Sequence, residues 1–183
     1  QWVVNMNFPM EEMYKAVEVA SMPTENDIPY SEELLSHKFG ELRYWGAIGM
    51  LNLSKTGIVT KPSELMLGAL HDMEAEVKSI MAEAFVYIGE EEKGLNVLYD
   101  LFAQNDNAAY SSLETITWTD KKNTFASRYR ERLIQLLKDH EHESDDRMSV
   151  YLKIRSLLVN IDVLPVTQLY PESHKKKELY RNL

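Results

Sequence analysis

The densest group of side chains that could perform chemistry lies at residues 140–146. This segment reads HEHESDD and offers two imidazoles, His140 and His142, beside four carboxylates. Imidazoles and carboxylates are the usual ligands of borderline and hard metal ions. On a helix, however, residues two apart point about 200° from one another, whereas the His-Glu-x-x-His site places its imidazoles four apart. The spacing therefore predicts a solvated loop between helices rather than a metal site.

The rest of the chain offers no recognisable catalytic or cofactor-binding constellation. It contains no Cys, which excludes thiolate nucleophiles, disulfides and Cys-based metal sites. Its glycines lack the spacing and the preceding strand of a phosphate-binding loop. His37 and His71 are expected at breaks between helices, as polar residues. We therefore predict no catalytic, cofactor-binding or metal-ligating residue in this chain, and no enzyme activity.

The net charge of the chain limits the classes of molecule that it is expected to bind. A formal net charge of −9 argues against nucleic acid, because phosphate binding requires clustered Lys and Arg. No run of about eighteen apolar residues occurs, so no membrane-spanning helix is expected. One alternative stays open, because five basic residues would form a ligand-binding groove if they gathered on one concave face. They are Lys121, Lys122, Arg128, Arg130 and Arg132.

Three tryptophans are candidate platforms for stacking sugar rings. Trp45 and Trp118 fall on predicted helices and are interpreted as core residues. Trp2 belongs to an apolar opening segment, which we expect to pack against an upstream domain or against the first helix.

Apolar residues recur with helical spacing along most of the chain, which predicts an all-α fold. One short helix is predicted to begin at Ser31, as its N-cap residue. The next carries Gly46 and Gly49 among large apolar side chains. Because Gly costs roughly 1 kcal/mol relative to Ala inside a helix, we expect a neighbouring helix to approach there too closely for a Cβ atom. Further predicted helices cover 74–88, 90–102, 126–138 and 147–160.

Two of these helices match position by position at an offset of 35 residues, 42–54 with 77–89. Both begin with an aliphatic residue followed by a cation, and both carry Ala five positions later, Ala47 and Ala82. A weaker third copy, at an offset of 31, places Leu113 at that position. Small residues let paired helices pack closely while large ones fill the gap to the next layer. The pattern predicts a stack of about four helix pairs.

The phrase from Val77 to Gly89 resembles the signature of short bacterial HEAT repeats. That resemblance implies a right-handed α-α superhelix of the HEAT and armadillo type. A second phrase, RYWGAIG at 43–49, follows the segment 13–21. Together these segments look like the HEAT-like extension at the C-terminus of some bacterial sulfatases, a resemblance that covers roughly residues 10–118.

The sulfatase resemblance implies a periplasmic or secreted parent enzyme that would use calcium and formylglycine. Formylglycine is made in a Cys/Ser-x-Pro-x-Arg motif, and the nearest match, Ser21–Glu25, has Glu25 in place of Arg. No cofactor is therefore expected in this chain. The chain also starts at Gln1 rather than Met, so we expect the chemistry to lie upstream of it.

We predict a HEAT-like helical repeat domain over residues 1–165 and an irregular tail over residues 166–183. The leading hypothesis is a non-catalytic C-terminal sulfatase domain that packs against the catalytic domain, oligomerises or binds another protein. The alternative is a free-standing adaptor that binds another protein. An independent enzyme is the third hypothesis, and the residue types speak against it.

Overall fold

The computed structural model describes residues 8–102, 111–112, 115–116, 121–139 and 148–161. Every regular element over these ranges is a helix, so the predicted all-α class is confirmed. Contacts divide the chain into two compact units, Gln1–Leu101 and Phe102–Leu183. The predicted boundary between domain and tail, at residues 165 and 166, lies outside the described ranges.

Five of the helices described in the first unit lie in two rows, and the sixth, α6, follows them in the chain. Helices α1, α3 and α5 lie side by side, because α3 packs against both of the others. Helix α2 packs on α3 and contacts α4, which makes α2 and α4 the second row. The bounds are α1 (Met10–Ser21), α2 (Ile28–Leu35), α3 (Gly40–Lys55), α4 (Glu64–Ala69), α5 (Ala75–Tyr87) and α6 (Glu91–Phe102).

Local sequence explains where several helices begin and end. The hydroxyl of Ser63 accepts a hydrogen bond from the Met66 N–H at 3.3 Å and caps the start of α4. Gly89 follows α5 with φ +90°, as expected for a residue beyond a helix end. The prediction that Ser31 caps α2 is wrong. Helix α2 begins at Ile28, because Pro29 suits a first helical turn, and Ser31 is buried inside it.

Glycines set the closest helix contacts, as predicted for Gly46 and Gly49. A Cβ atom on Gly46 would lie 2.9 Å from the carbonyl oxygen of Ser31, and one on Gly49 would lie 2.7 Å from the Ser31 hydroxyl. Gly94 of α6 has the same role against α5, since a Cβ there would meet the carbonyl oxygen of Ala82. This contact of Gly94 was not predicted from the sequence.

The first unit keeps the 35-residue offset of the sequence. Helix α3 begins at Gly40 and α5 at Ala75. The equivalent residues Ala47 and Ala82 are both fully buried, whereas Leu113 lies outside the described residues. Other equivalent positions that are buried alike are Leu42 with Val77 and Met50 with Phe85. These three pairs of equivalent positions are therefore buried in both helices.

The described part of the second unit contains α7 (Lys122–Arg128), α8 (Arg130–Asp139) and α9 (Met148–Asn160). Helix α9 packs against α7 and α8. Of the apolar side chains at helical spacing in these helices, Leu133, Ile154, Leu157 and Leu158 are buried, whereas Tyr129, Leu136 and Leu137 are half-buried. The helix predicted over 126–138 starts earlier, at Lys122, and is divided at Tyr129.

The substitution Gly46→Ala is expected to lower the free energy of unfolding by up to about 2 kcal/mol. Its methyl group would overlap the backbone of α2, and overpacking of this kind costs about 1–3 kcal/mol, against roughly 1 kcal/mol gained in helix propensity. Gly68→Ala in α4 is the control, since a Cβ there meets open space. It should raise stability by about 0.5–1 kcal/mol. Urea denaturation measures both, and a stabilised Gly46→Ala variant would contradict the close approach of α2 and α3.

Candidate interaction site

The histidines of the segment 140–146 lie outside the described residues. The two described histidines, His37 and His71, lie at breaks between helices. His37 follows α2, where its Nδ1 accepts a hydrogen bond from the Phe39 N–H at 3.2 Å and its Nε2 lies 3.8 Å from a Glu12 carboxylate oxygen. His71 is exposed in the break after α4. Over the described ranges, no three His, Asp or Glu side chains come together as a metal-ion site.

The five basic residues between 121 and 132 gather only in part. Arg128, Arg130 and Arg132 line a cavity of about 400 Å³ at the division between α7 and α8. Lys121 and Lys122 are not among its lining residues. Its lining consists of six consecutive residues, 127–132, so the cavity is a local notch. It is not a concave face built from several helices.

A buried ion pair joins α3 to the turn between α4 and α5. Arg43 donates from Nε to Asp72 at 2.6 Å and from Nη2 to the other Asp72 oxygen at 2.9 Å. Its Nη1 donates to the carbonyl oxygen of His37 at 3.0 Å. These hydrogen bonds to Asp72 raise the pKa of Arg43, so the guanidinium stays charged. The side chains are 10% and 7% exposed, and a bidentate pair of this kind fixes geometry as well as adding energy.

The other ends of these helices are connected as well. At the end of α3, Lys55 Nζ lies 2.8 Å from Oε1 of Glu83 in α5. The Asn52 side chain donates a hydrogen bond to the carbonyl oxygen of Ala20 at 2.8 Å, which satisfies a backbone group at the end of α1. Polar contacts thus hold α1, α3 and α5 in one row.

Removing one partner of the buried Arg43–Asp72 pair tests how much the pair contributes to the stability of the fold. Asp72→Ala should lower the free energy of unfolding by about 3 kcal/mol, because it leaves the buried Arg43 charge without its carboxylate. Glu90→Ala is the control, since Glu90 and Lys93 form an exposed pair at 3.7 Å. That control should cost under about 0.5 kcal/mol. Equal losses in chemical denaturation would show that the Arg43 pair does not link the helices as described.

A cavity of about 360 Å³ lies over the first turns of α3 and α5, beside α1. Aromatic, acidic and thioether side chains line it, and they come from three separate parts of the chain. These residues are Met13, Glu41, Tyr44, Trp45, Glu74 and Glu76. Because tertiary packing assembles this cavity, we take it as the candidate site.

Two aromatic rings line one side of the cavity. The centroids of Tyr44 and Trp45 are 5.5 Å apart, and their planes meet at 89°. Trp45 also packs against the buried cluster that contains Leu42. The prediction that Trp45 is a core residue therefore describes one side of its ring system, since the residue is half-buried and also faces the cavity. Trp2 and Trp118 lie outside the described residues.

Three carboxylates line the cavity. The positive ends of two helix dipoles stabilise their negative charge there. Glu41 and Glu76 lie in the first turns of α3 and α5, where the helix dipole favours negative charge. The Glu74 side chain lies against the first residue of α3, because a Cβ on Gly40 would be 3.1 Å from Glu74 Cγ. Each helix start supplies roughly half a positive charge. The two starts therefore offset about one of the three negative charges.

For Glu41 and Glu74, the neighbouring cations among the described residues decide how much of the charge is balanced. Among the described residues, no salt bridge within 4.0 Å joins Glu41 or Glu74 to a Lys or Arg side chain. Arg43 lies close enough for both carboxylates to raise its pKa. However, the Asp72 carboxylate already neutralises that guanidinium through two hydrogen bonds. The cavity is therefore a negatively charged site.

The charge of the whole chain is divided unevenly between the two units. The first unit contains 17 Asp and Glu against 7 Lys and Arg, a net charge of −10. The second contains 12 against 13, a net charge of +1. The acidic character that the sequence analysis assigned to the chain as a whole is thus a property of the unit that carries the cavity.

Several large apolar side chains that are close in sequence to the cavity-lining residues are exposed to solvent. Met10 and Tyr14 of α1 are 52% and 69% exposed, on either side of Met13. Met73 is 83% exposed and precedes Glu74. Exposed large apolar side chains that gather into a patch are typical of a surface that contacts another molecule.

Residue types and helical spacing do not predict this site, although the repeat contains one signal for it. Glu41 and Glu76 are 35 residues apart, the offset of the repeat, and so occupy equivalent positions in adjacent helices. Side chains at equivalent positions of stacked repeats line up on one face. Glu74 and Met13 have no such signal, because no repeat position predicts that they reach the same cavity.

The chain was also compared with known proteins. Neither a protein-family model, nor a curated protein, nor a solved structure matches it. Among the described helices, none has the length and the apolar run that crossing a bilayer requires.

Proposed function

We propose that this chain is a non-catalytic helical-repeat domain that binds a protein partner through the row formed by α1, α3 and α5. The cavity in that row carries the proposal, because it combines aromatic walls, unbalanced charge and exposed apolar neighbours. Repeat domains offer extended surfaces of this kind, built from equivalent helices.

A HEAT-like right-handed superhelix is the architecture that we propose for the helix pairs. The shared offset of α3 and α5 supports it, since stacked units repeat the same contacts at a fixed period. The Arg43–Asp72 pair supports it further, because it joins one helix pair to the turn of the next. Gly46 supplies the close contact within a pair.

We further propose that the domain belongs to an exported bacterial sulfatase, in which it contacts the catalytic domain, a second copy or another protein. The support is the phrase at 43–49, which α3 carries beside the cavity. Calcium and formylglycine would then belong to the catalytic domain. A Cys/Ser-x-Pro-x-Arg motif encoded upstream in the same reading frame would support this parent. A start codon directly before Gln1 would favour a free-standing adaptor.

The non-catalytic assignment predicts that purified residues 1–183 do not hydrolyse p-nitrophenyl sulfate. The reason is chemical, since the chain has neither Cys nor the Ser-x-Pro-x-Arg motif from which formylglycine is made. Release of p-nitrophenol is measured with and without added calcium, beside a buffer blank. Turnover above the blank in either condition would overturn the assignment.

Photo-crosslinking in cells that express the protein tests whether the α1–α3–α5 row binds a partner. A benzophenone amino acid in place of Tyr14, which is 69% exposed on α1, should give a crosslinked product of one discrete mass. The control places the same group at Leu65 of α4, which is 41% exposed in the other helix row. Products at both positions, or at neither, would count against the α1–α3–α5 row as the partner-binding face.

A further inference from the structure

The cavity of the first unit has a chemistry that selects one class of ligand. Its walls combine two aromatic rings with three carboxylates, and its described lining contains no Lys or Arg. An anion would meet the like charges of Glu41 and Glu74 there, and a neutral apolar group would leave these two carboxylates to lose water without a partner. A cation with an alkyl stem would meet both features.

We infer that this cavity binds a cationic side chain, a Lys or Arg presented by the partner protein. This inference rests on the proposed function and names the chemistry of the partner. The aromatic rings attract a cation through their negative faces and pack against its alkyl stem. The carboxylates then supply the opposite charge.

The right-angle arrangement of the rings suits such a ligand. With centroids 5.5 Å apart and planes at 89°, Tyr44 and Trp45 present surfaces in two directions rather than one flat platform. An ammonium or guanidinium head can lie over one of these ring faces while its alkyl stem packs along the other. Met13 adds a polarizable thioether on the side of α1.

The charge balance also favours a cation over water alone. Glu41 and Glu74 are exposed at the cavity, and the two helix starts offset about one of their two charges. The Arg43 guanidinium that lies nearby is already engaged by Asp72. The surrounding unit has a net charge of −10, which steers cations towards it from a distance.

The test uses hexalysine as the probe, with hexa(acetyl-lysine) as the neutral control of equal length. Isothermal titration calorimetry of residues 1–183 in 50 mM NaCl should give binding for hexalysine only. Amide resonances of Tyr44, Trp45 and Val77 should shift in the same titration. Absence of binding, or binding that leaves these resonances unmoved, overturns the inference.

A matched pair of variants separates the cavity from general charge attraction. Glu41→Gln with Glu74→Gln removes two exposed cavity carboxylates and should weaken hexalysine binding at least about tenfold. Glu64→Gln with Glu92→Gln removes two exposed first-turn carboxylates of α4 and α6, outside the cavity lining, and should change it less than about twofold. Equal weakening by both pairs overturns the inference.

If the double carboxylate variant fails to fold, as judged by circular dichroism, substitutions of Tyr44 provide the test of the cavity instead. Tyr44→Leu should weaken binding about threefold or more, whereas Tyr44→Phe keeps the ring and should bind as the unmodified chain does. Equal binding by the Leu and Phe variants overturns the inference. Failure of the proposed function has a different signature, since sulfate-ester turnover would overturn that proposal and leave the hexalysine measurement unaffected.

Discussion

Helix α3 packs against α1, α2 and α5. The packing of the first unit depends on how closely α2 approaches α3. Gly46 and Gly49 have no Cβ atom, so the backbone of α2 near Ser31 lies directly against α3. Any side chain at Gly46 would press on backbone atoms, which cannot move away as a flexible side chain can. This contact sets the thickness of a helix pair, and Gly94 sets a comparable contact between α6 and α5.

Close packing of helices brings their ends together, and the polar groups at those ends must then find partners. The Arg43–Asp72 pair serves this purpose between α3 and the turn before α5. The pair thereby engages Arg43, a cation close enough to Glu41 and Glu74 for both carboxylates to raise its pKa. The negative charge of the neighbouring cavity is therefore a consequence of how the helix pairs are joined, as well as of composition.

The two cavities show why assembly matters more than residue type. Arg128, Arg130 and Arg132 form a basic notch, but its whole lining is one short stretch of chain. The acidic and aromatic cavity draws on α1, α3 and α5, whose relative positions the buried contacts fix. A site held by several packed helices keeps its geometry, which a binding surface requires. The acidic cavity is therefore the stronger candidate for recognition.

The sequence by itself determined the helical class, the offset of α3 and α5 and the close approach at Gly46 and Gly49. These features follow from apolar spacing and from the cost of Gly in a helix, which are local properties. It did not determine the division at Leu101, because the division depends on contacts between residues far apart in the chain. Nor did it determine the site, since helical periodicity tells which face of a helix is apolar and not which other helix end that face meets. Only tertiary packing brings Glu74 against Gly40, and with it the carboxylates and the rings into one cavity.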